Sequence, residues 1–128
     1  MSLKEQIRIM VVDDMSTSRG LIIQNLESFG IKSIISADNG ETALQLLQEK
    51  PVHLIISDYN MPTMNGLKLL YALRSNPATK GIGFILITGR VEREIIDYGK
   101  KLGMNNFIKK PFTPQDLKNA LEVVVGIL

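Results

Sequence analysis

The sequence predicts an α/β protein built on a five-stranded parallel sheet with helices on both faces, and three observations carry that prediction. Short apolar runs alternate with helical periodicities five times along 128 residues. The central runs are continuously apolar instead of alternating with polar residues, as expected of strands covered on both faces. Each run stops at polar or turn-forming residues, where a buried strand reaches solvent.

Taken in order, Ile7 to Val12 is apolar except for Arg8 and stops at Asp13-Asp14, which makes it the first strand. From Ser16 to Phe29 the set Ile22, Leu26 and Phe29 recurs at i, i+4 and i+7, predicting a helix with Ser16 as N-cap and Gly30 as its left-handed stop. Lys32 to Ala37 reads as a short strand. Gly40 to Lys50 reads as a helix with Ala43, Leu44 and Leu47 on one face and Pro51 beyond its end. Val52 to Ile56 is the third strand, interrupted only by His53, which is read as a structural or edge residue. It is followed by Ser57-Asp58, a turn rich in Asn, Pro and Gly, and a helix from Gly66 to Arg74.

Phe84 to Ile87 gives the fourth strand, Val91 to Leu102 the next helix, and Asn105 to Lys109 a last short strand that Pro111 breaks. The final helix has the clearest start, with Thr113 as N-cap, Pro114 at the first helical position and Asp116 three residues after the cap. Its buried face is Leu117, Ala120, Leu121 and Val124. The opening Met1-Ser2-Leu3 is assigned no element. No internal repeat, low-complexity stretch or linker interrupts the rhythm, so residues 1–128 are expected to form one domain.

The bulk numbers narrow the function classes. A chain of 128 residues can bury roughly two-thirds of its unfolded surface, enough for one core. Hydrophobic residues at 45% and charged residues at 22% place it among globular domains and away from disordered chains. The net charge of +2, without any run of five like charges, gives no footprint for direct nucleic-acid binding. Having no cysteine excludes disulfides and thiolate metal sites. No signal-peptide pattern or long apolar run occurs, so a cytoplasmic protein without membrane attachment is expected.

In an open parallel sheet, the loops after the strands' carboxyl ends share one edge, and ligands bind there. The strand ends carry Asp13 and Asp14, Asp58, Thr88 and Lys110. An Asp at a strand end is by itself usually a turn or a helix cap. Gathered together, these groups repel each other or stay idle unless a cation and an anion bind among them. A hard divalent ion suits the set, since Mg²⁺ takes carboxylates, waters and phosphate oxygens and needs neither imidazole nor thiolate. One carboxylate beside it can attack a phosphoryl donor while metal, ammonium and hydroxyl neutralise the equatorial oxygens, giving an aspartyl phosphate.

Four motifs then resemble those of response-regulator receiver domains, nearest to the stand-alone chemotaxis type. They are Val11-Val12-Asp13-Asp14, the stretch from Asp58-Tyr59-Asn60-Met61-Pro62 to Asn65-Gly66, Thr88-Gly89, and Lys110-Pro111-Phe112. The resemblance covers the whole chain and implies a flavodoxin-like sheet of strand order 2-1-3-4-5. It implies that Asp58 is the phosphoacceptor, that Asp14, Asp58 and the backbone carbonyl of Asn60 coordinate Mg²⁺ with Asp13 helping through water, and that Lys110 contacts the phosphoryl group. Thr88 is implied to move toward that group, followed by the aromatic residue Phe107, whose alternative reading is plain core.

Many chemotaxis relatives have Tyr at the position of Phe107, so a contact needing a phenolic hydroxyl is missing there. Gly89 stands where Ala is common, which loosens the loop after the fourth strand. Asn60 and Arg90 flank the site and are expected to modulate the rate of phosphoryl loss. A cis bond before Pro111 is also implied. The implied partners are a sensor histidine kinase and a downstream protein target, the flagellar motor switch among the possibilities, met by a face of the fourth helix, fifth strand and fifth helix of the pattern. A monomer or weak dimer is expected, with self-catalysed phosphoryl transfer and autodephosphorylation instead of enzymatic turnover.

Two other classes compete. A flavodoxin-like binder would hold a flavin phosphate at Met15-Ser16-Thr17-Ser18, where Asp13-Asp14 would repel it without a metal. A small phosphohydrolase using Asp58 would need a second acid in the same loop, which Tyr59-Asn60 does not provide. Within the receiver class, a stand-alone regulator, a phosphate sink and a receiver excised from a larger DNA-binding regulator all remain open. The end at Leu128, straight after the last helix, is what a complete stand-alone protein would show.

Overall fold

The structure, a computed structural model, describes residues 2–128. Five strands form one sheet: β1 (Arg8–Val12), β2 (Ser33–Ala37), β3 (Leu54–Asp58), β4 (Gly83–Thr88) and β5 (Asn106–Lys109). All neighbours run parallel, in the order β2-β1-β3-β4-β5. The helices are α1 (Leu3–Gln6), α2 (Ser16–Ser28), α3 (Gly40–Glu49), α4 (Gly66–Arg74), α5 (Arg93–Lys101) and α6 (Pro114–Val125). This is the flavodoxin-like α/β architecture expected.

Successive strand residues point to opposite faces, so each strand feeds two cores. Met10, Val12, Ile55, Phe84 and Leu86 pack under α3, α4 and α5 through Ala43, Leu47, Leu70, Leu73 and Ile96. Ile9, Val11, Leu54, Ile56, Ile85 and Ile87 pack under α2 and α6 through Ile22, Leu26, Leu117 and Leu121. This explains the lack of polar alternation: β3 is buried at all five positions. Each large aliphatic side chain wholly withdrawn from water adds about 1.5–3 kcal/mol, so the two cores together dominate the folding energy.

Several boundaries differ from the sequence expectation, some for tertiary and some for local reasons. The third strand was expected at Val52–Ile56 but extends to Asp58, because Asp58 registers with Ile87 of β4 and Ser57 with Val12 of β1. Val52 lies before the strand, where His53 joins the ladder at its amide, donated to Arg8 O, and its Nδ1 accepts from the Arg8 amide. The helix expected at Val91–Leu102 starts at Arg93, because Glu92 is extended at the N-cap position (φ −88, ψ 135); its side chain pairs with Arg90 at 2.7 Å in the preceding loop.

Ser16 is not an N-cap. It is the first residue of α2, and Met15 occupies the cap without a side-chain hydrogen bond. Asp13 takes over the local turn: its Oδ1 accepts from the Met15 amide at 3.0 Å. At the other end of the chain, Thr113 accepts from the Asp116 amide and Asp116 reaches back to the Thr113 amide, a complete capping box with Pro114 at the helix start. Ser2 and Leu3, assigned no element from sequence, respectively cap and open α1, where Ser2 and Glu5 form a capping box; Met1 lies outside the described residues.

Arg74 fastens the end of the sheet opposite the acidic edge. Its guanidinium donates to the carbonyls of Lys80, Ile82 and Gly103 and to Asn105 Oδ1, and that oxygen also accepts from the Phe84 amide. One side chain at the end of α4 thereby positions the entries to β4 and β5.

Candidate functional site

Parallel register brings the carboxyl ends of β1, β3, β4 and β5 to one edge of the sheet. Asp13 and Asp14 leave β1, and the Asp13 amide extends the ladder by donating to Ala37 O at 3.1 Å. The guanidinium of Arg19, one turn into α2, donates to Asp13 O at 2.8 Å and holds the chain where it turns. Asp58 ends β3, Thr88 ends β4, and Lys110 follows β5 at a cis Lys110–Pro111 bond.

Carboxylate oxygens of Asp13, Asp14 and Asp58 lie within 4.8 Å of one another. Lys110 Nζ stands 2.9 Å from Asp58 Oδ1, with the lysine side chain 31% exposed and the aspartate 5%. Burial pushes the Asp58 carboxyl above the usual carboxylate range. The Lys110 hydrogen bond and charge pull it back, and the charges of Asp13 and Asp14 push it further up.

Asp13 is wholly buried, and its Oδ2 has no hydrogen-bond partner among the described residues. A buried polar atom left without a partner costs about 1–3 kcal/mol, and more when it is charged. Three convergent carboxylates, one with an unspent buried oxygen, form a donor set of the all-oxygen kind that hard divalent cations take. The residues therefore fit a Mg²⁺-sized ion, with Asp13, Asp14 and Asp58 as the groups that can hold it.

The other expected residues fall around this centre in different ways. Asn60 is exposed, two residues beyond Asp58 on the same edge. Thr88 is buried, but its hydroxyl accepts from the Arg90 amide and donates to Arg90 O, and no hydrogen bond links it to Asp58 among the described residues. The Arg90 guanidinium is exposed and paired with Glu92 at 2.7 Å. Phe107 is half-buried, opposite Leu86 in the β4–β5 register and packed on the core under α3 to α5.

The loop between β3 and α4 contains what sequence reading missed. Met61, read as part of a turn rich in Asn, Pro and Gly, is buried core. Thr63 has φ +62, a left-handed conformation that a β-branched residue rarely adopts and that costs on the order of 1–2 kcal/mol. Gly66 has backbone and core at its α-carbon: a Cβ there would stand 2.6 Å from Asp58 O and 2.7 Å from Leu86 Cδ1. Its amide also donates to Tyr59 O at 2.9 Å. The sequence sign of this close approach was the Asn65-Gly66 pair, read as the passage from turn to helix and as the close of the motif that begins at Asp58.

Residues 9–122 match the family described as the response regulator receiver domain. The chain belongs to that family. The receiver is 44% identical over 128 residues to a probable chemotaxis protein CheY of Rhizobium etli, covering 100% of this chain and 99% of that one. It is 40% identical over 121 residues to chemotaxis protein CheY1 of Helicobacter pylori, covering 94% and 98%. Its fold matches that of the chemotaxis response regulator CheY4 of Vibrio cholerae with a TM-score of 0.85 at 29% identity, covering 92% and 98%. Among the described residues, no helix is long and apolar enough to cross a membrane. Membership replaces the flavin-binding and phosphohydrolase readings with that of a signalling protein.

Proposed function

We propose that Asp58 is the phosphoacceptor of this receiver and that Mg²⁺ bound by Asp13, Asp14, Asp58 and the Asn60 carbonyl is required for its phosphorylation. One observation carries the proposal: the Lys110 ammonium, 2.9 Å from Asp58 Oδ1, and the other two carboxylates converge on a single nearly buried acid. When bound, the metal supplies positive charge to the transferring phosphoryl oxygens. An Asp58 oxygen attacks phosphorus, the O–P bond forms as the P–N bond of a phosphohistidine breaks, and the imidazole leaves with a proton from solvent. Lys110, already directed at Asp58, stabilises the charge on the phosphoryl oxygens. Thr88 releases the Arg90 backbone to add a hydroxyl donor, and Phe107 repacks beside it on β5.

The signal then leaves through the α5–β5–α6 face toward a protein target. The relatives' names, which are those of chemotaxis proteins, support a chemotaxis-type regulator; its donor is a histidine kinase and its target a protein such as the flagellar motor switch. Residues 1–128 act as one receiver domain in the cytoplasm, as a monomer or weak dimer without direct nucleic-acid contact. The chemistry is confined to its own phosphorylation and dephosphorylation, with Asn60 and Arg90 adjusting the latter. The test is incubation with acetyl phosphate and Mg²⁺ followed by intact-mass measurement. Wild type gains one phosphoryl group and loses the gain with a chelator present. An equal gain in Asp58→Asn would refute the assignment.

A further inference from the structure

Outside the acidic edge, the feature that stands out is a cavity of about 380 Å³ between α4 and α5, lined by Tyr59, Asn65, Leu67, Lys68, Tyr71 and Tyr98. The chain has three tyrosines and no tryptophan, and all three tyrosines line this one cavity. Tyr71 and Tyr98 are 58% and 48% exposed, although ordinary packing would have covered such large rings. Tyrosine combines a rigid apolar ring with a hydrogen-bonding tip, which makes it a frequent energetic anchor where proteins meet.

The charge of the lining selects the occupant. Phenol hydroxyls, the Asn65 amide and the Lys68 ammonium can all donate hydrogen bonds, and no acidic side chain lines the cavity. Lys68 forms no ion pair among the described residues. The acid next to Tyr98 on α5, Asp97, is engaged by Arg93 Nε at 3.6 Å. A ligand that inserts an apolar side chain between the rings and places a carboxylate against Lys68 meets both requirements. Basic or purely polar segments meet only one.

The cavity's base is firmly built. The Tyr59 amide donates to Ile87 O at 2.8 Å, its carbonyl accepts from the Gly66 amide, and Asn65 caps α4 by accepting from the Lys68 amide at 2.9 Å. We propose that this tyrosine-lined groove between α4 and α5 is a docking site for a protein segment that pairs apolar anchors with carboxylates. The site shares α5 with the α5–β5–α6 face through Tyr98 but is otherwise built from α4 and the loop before it, and the docking proposed is that of the unphosphorylated chain.

The test uses the full chain without any phosphodonor and three synthetic peptide pools of equal length. One pool mixes leucine with glutamate, a second replaces glutamate by lysine, and a third replaces it by serine. Binding is followed by calorimetry and by tyrosine emission, since all three tyrosines line this cavity. The acidic pool is expected to bind and to change the emission. Tyr71→Ser combined with Tyr98→Ser should weaken binding by about tenfold or more, and Lys68→Glu should shift preference to the lysine pool while leaving every tyrosine in place. Circular dichroism establishes that the variants fold; Lys68→Glu alone decides the matter should the tyrosine pair not. The proposal is overturned if no pool binds, if the three pools bind equally, or if binding survives Lys68→Glu with its preference unchanged. It is equally overturned if sedimentation shows a dimer that the tyrosine replacements dissolve, since a second copy would then be the occupant.

Discussion

The Lys110 ammonium lies 2.9 Å from Asp58 Oδ1, yet Asp58 still holds its proton more tightly than an ordinary aspartate. Desolvation outweighs the pairing, and the neighbouring Asp13 and Asp14 charges add to it. The site is thus held in an electrostatically costly state that extra positive charge relieves.

That cost gives a pH signature. A carboxyl whose folded-state pKa is raised contributes stability below its unfolded value and loses it as pH rises through the folded one. Metal-free Asp58→Asn has no charge to bury, so its thermal midpoint at neutral pH should exceed that of wild type. The gap should narrow as pH falls through the raised Asp58 range. Melts across that range decide it, and a wild type more stable at neutral pH would contradict the account.

Magnesium should reverse the disadvantage. With ligand at a hundred times its dissociation constant, binding to the folded state alone adds about 2.7 kcal/mol. Wild type should melt higher with Mg²⁺ and return to its starting midpoint with a chelator. Asp14→Asn, which changes an exposed member of the cluster, should blunt the response. Differential scanning calorimetry with and without the ion measures both.

Lys110→Ala should leave the fold intact while slowing Asp58 phosphorylation by acetyl phosphate. Removing one preorganised charge donor of this kind costs on the order of a hundredfold or more in rate. Rapid-quench mass measurement reads the loss. A change of less than about threefold would show that Lys110 does not act on the transferring phosphoryl group and that its ion pair with Asp58 is structural.

Thr63→Asn should stabilise the protein. Asparagine tolerates the left-handed conformation that Thr63 holds at φ +62, and relief of that strain is worth on the order of 1 kcal/mol. Gly66→Ala should do the reverse, because its Cβ would meet Asp58 O and Leu86, a crowding that costs about 1–3 kcal/mol. Urea melts of the two variants test both signs.

Arg74→Ala should be the most damaging of the changes remote from the acidic edge. It removes donors to three carbonyls and to Asn105 Oδ1, with hydrogen bonds from a charged group worth about 1.5–3 kcal/mol each before the vacated groups find water. A stability loss of about 3 kcal/mol or more in urea, with unchanged phosphorylation at temperatures where the variant is folded, is expected.

The sequence by itself determined the α/β class, the five strand and helix pairs, and which strand ends carry the acidic, hydroxyl and ammonium side chains. Those follow from local periodicity and capping: continuous apolar runs such as Phe84–Ile87, and the Thr113-Pro114-Asp116 start, report burial and helix initiation within a few residues. Strand order, implied by family resemblance, became visible only in the pairing. Strand pairing alone decided that β3 carries Asp58 inside the ladder, while the backbone conformation around two short loops decided that Asp13 Oδ1 displaces Ser16 from the turn before α2 and that the Thr88 hydroxyl is held by Arg90. Tertiary contacts also decided that Met61 is core and that Arg74 joins two loops far apart in sequence. In each case the deciding partner is distant along the chain or is a backbone group whose availability depends on the final register. A pattern read along the sequence records neither, because hydrogen bonds and desolvation are settled by what lies nearby in space.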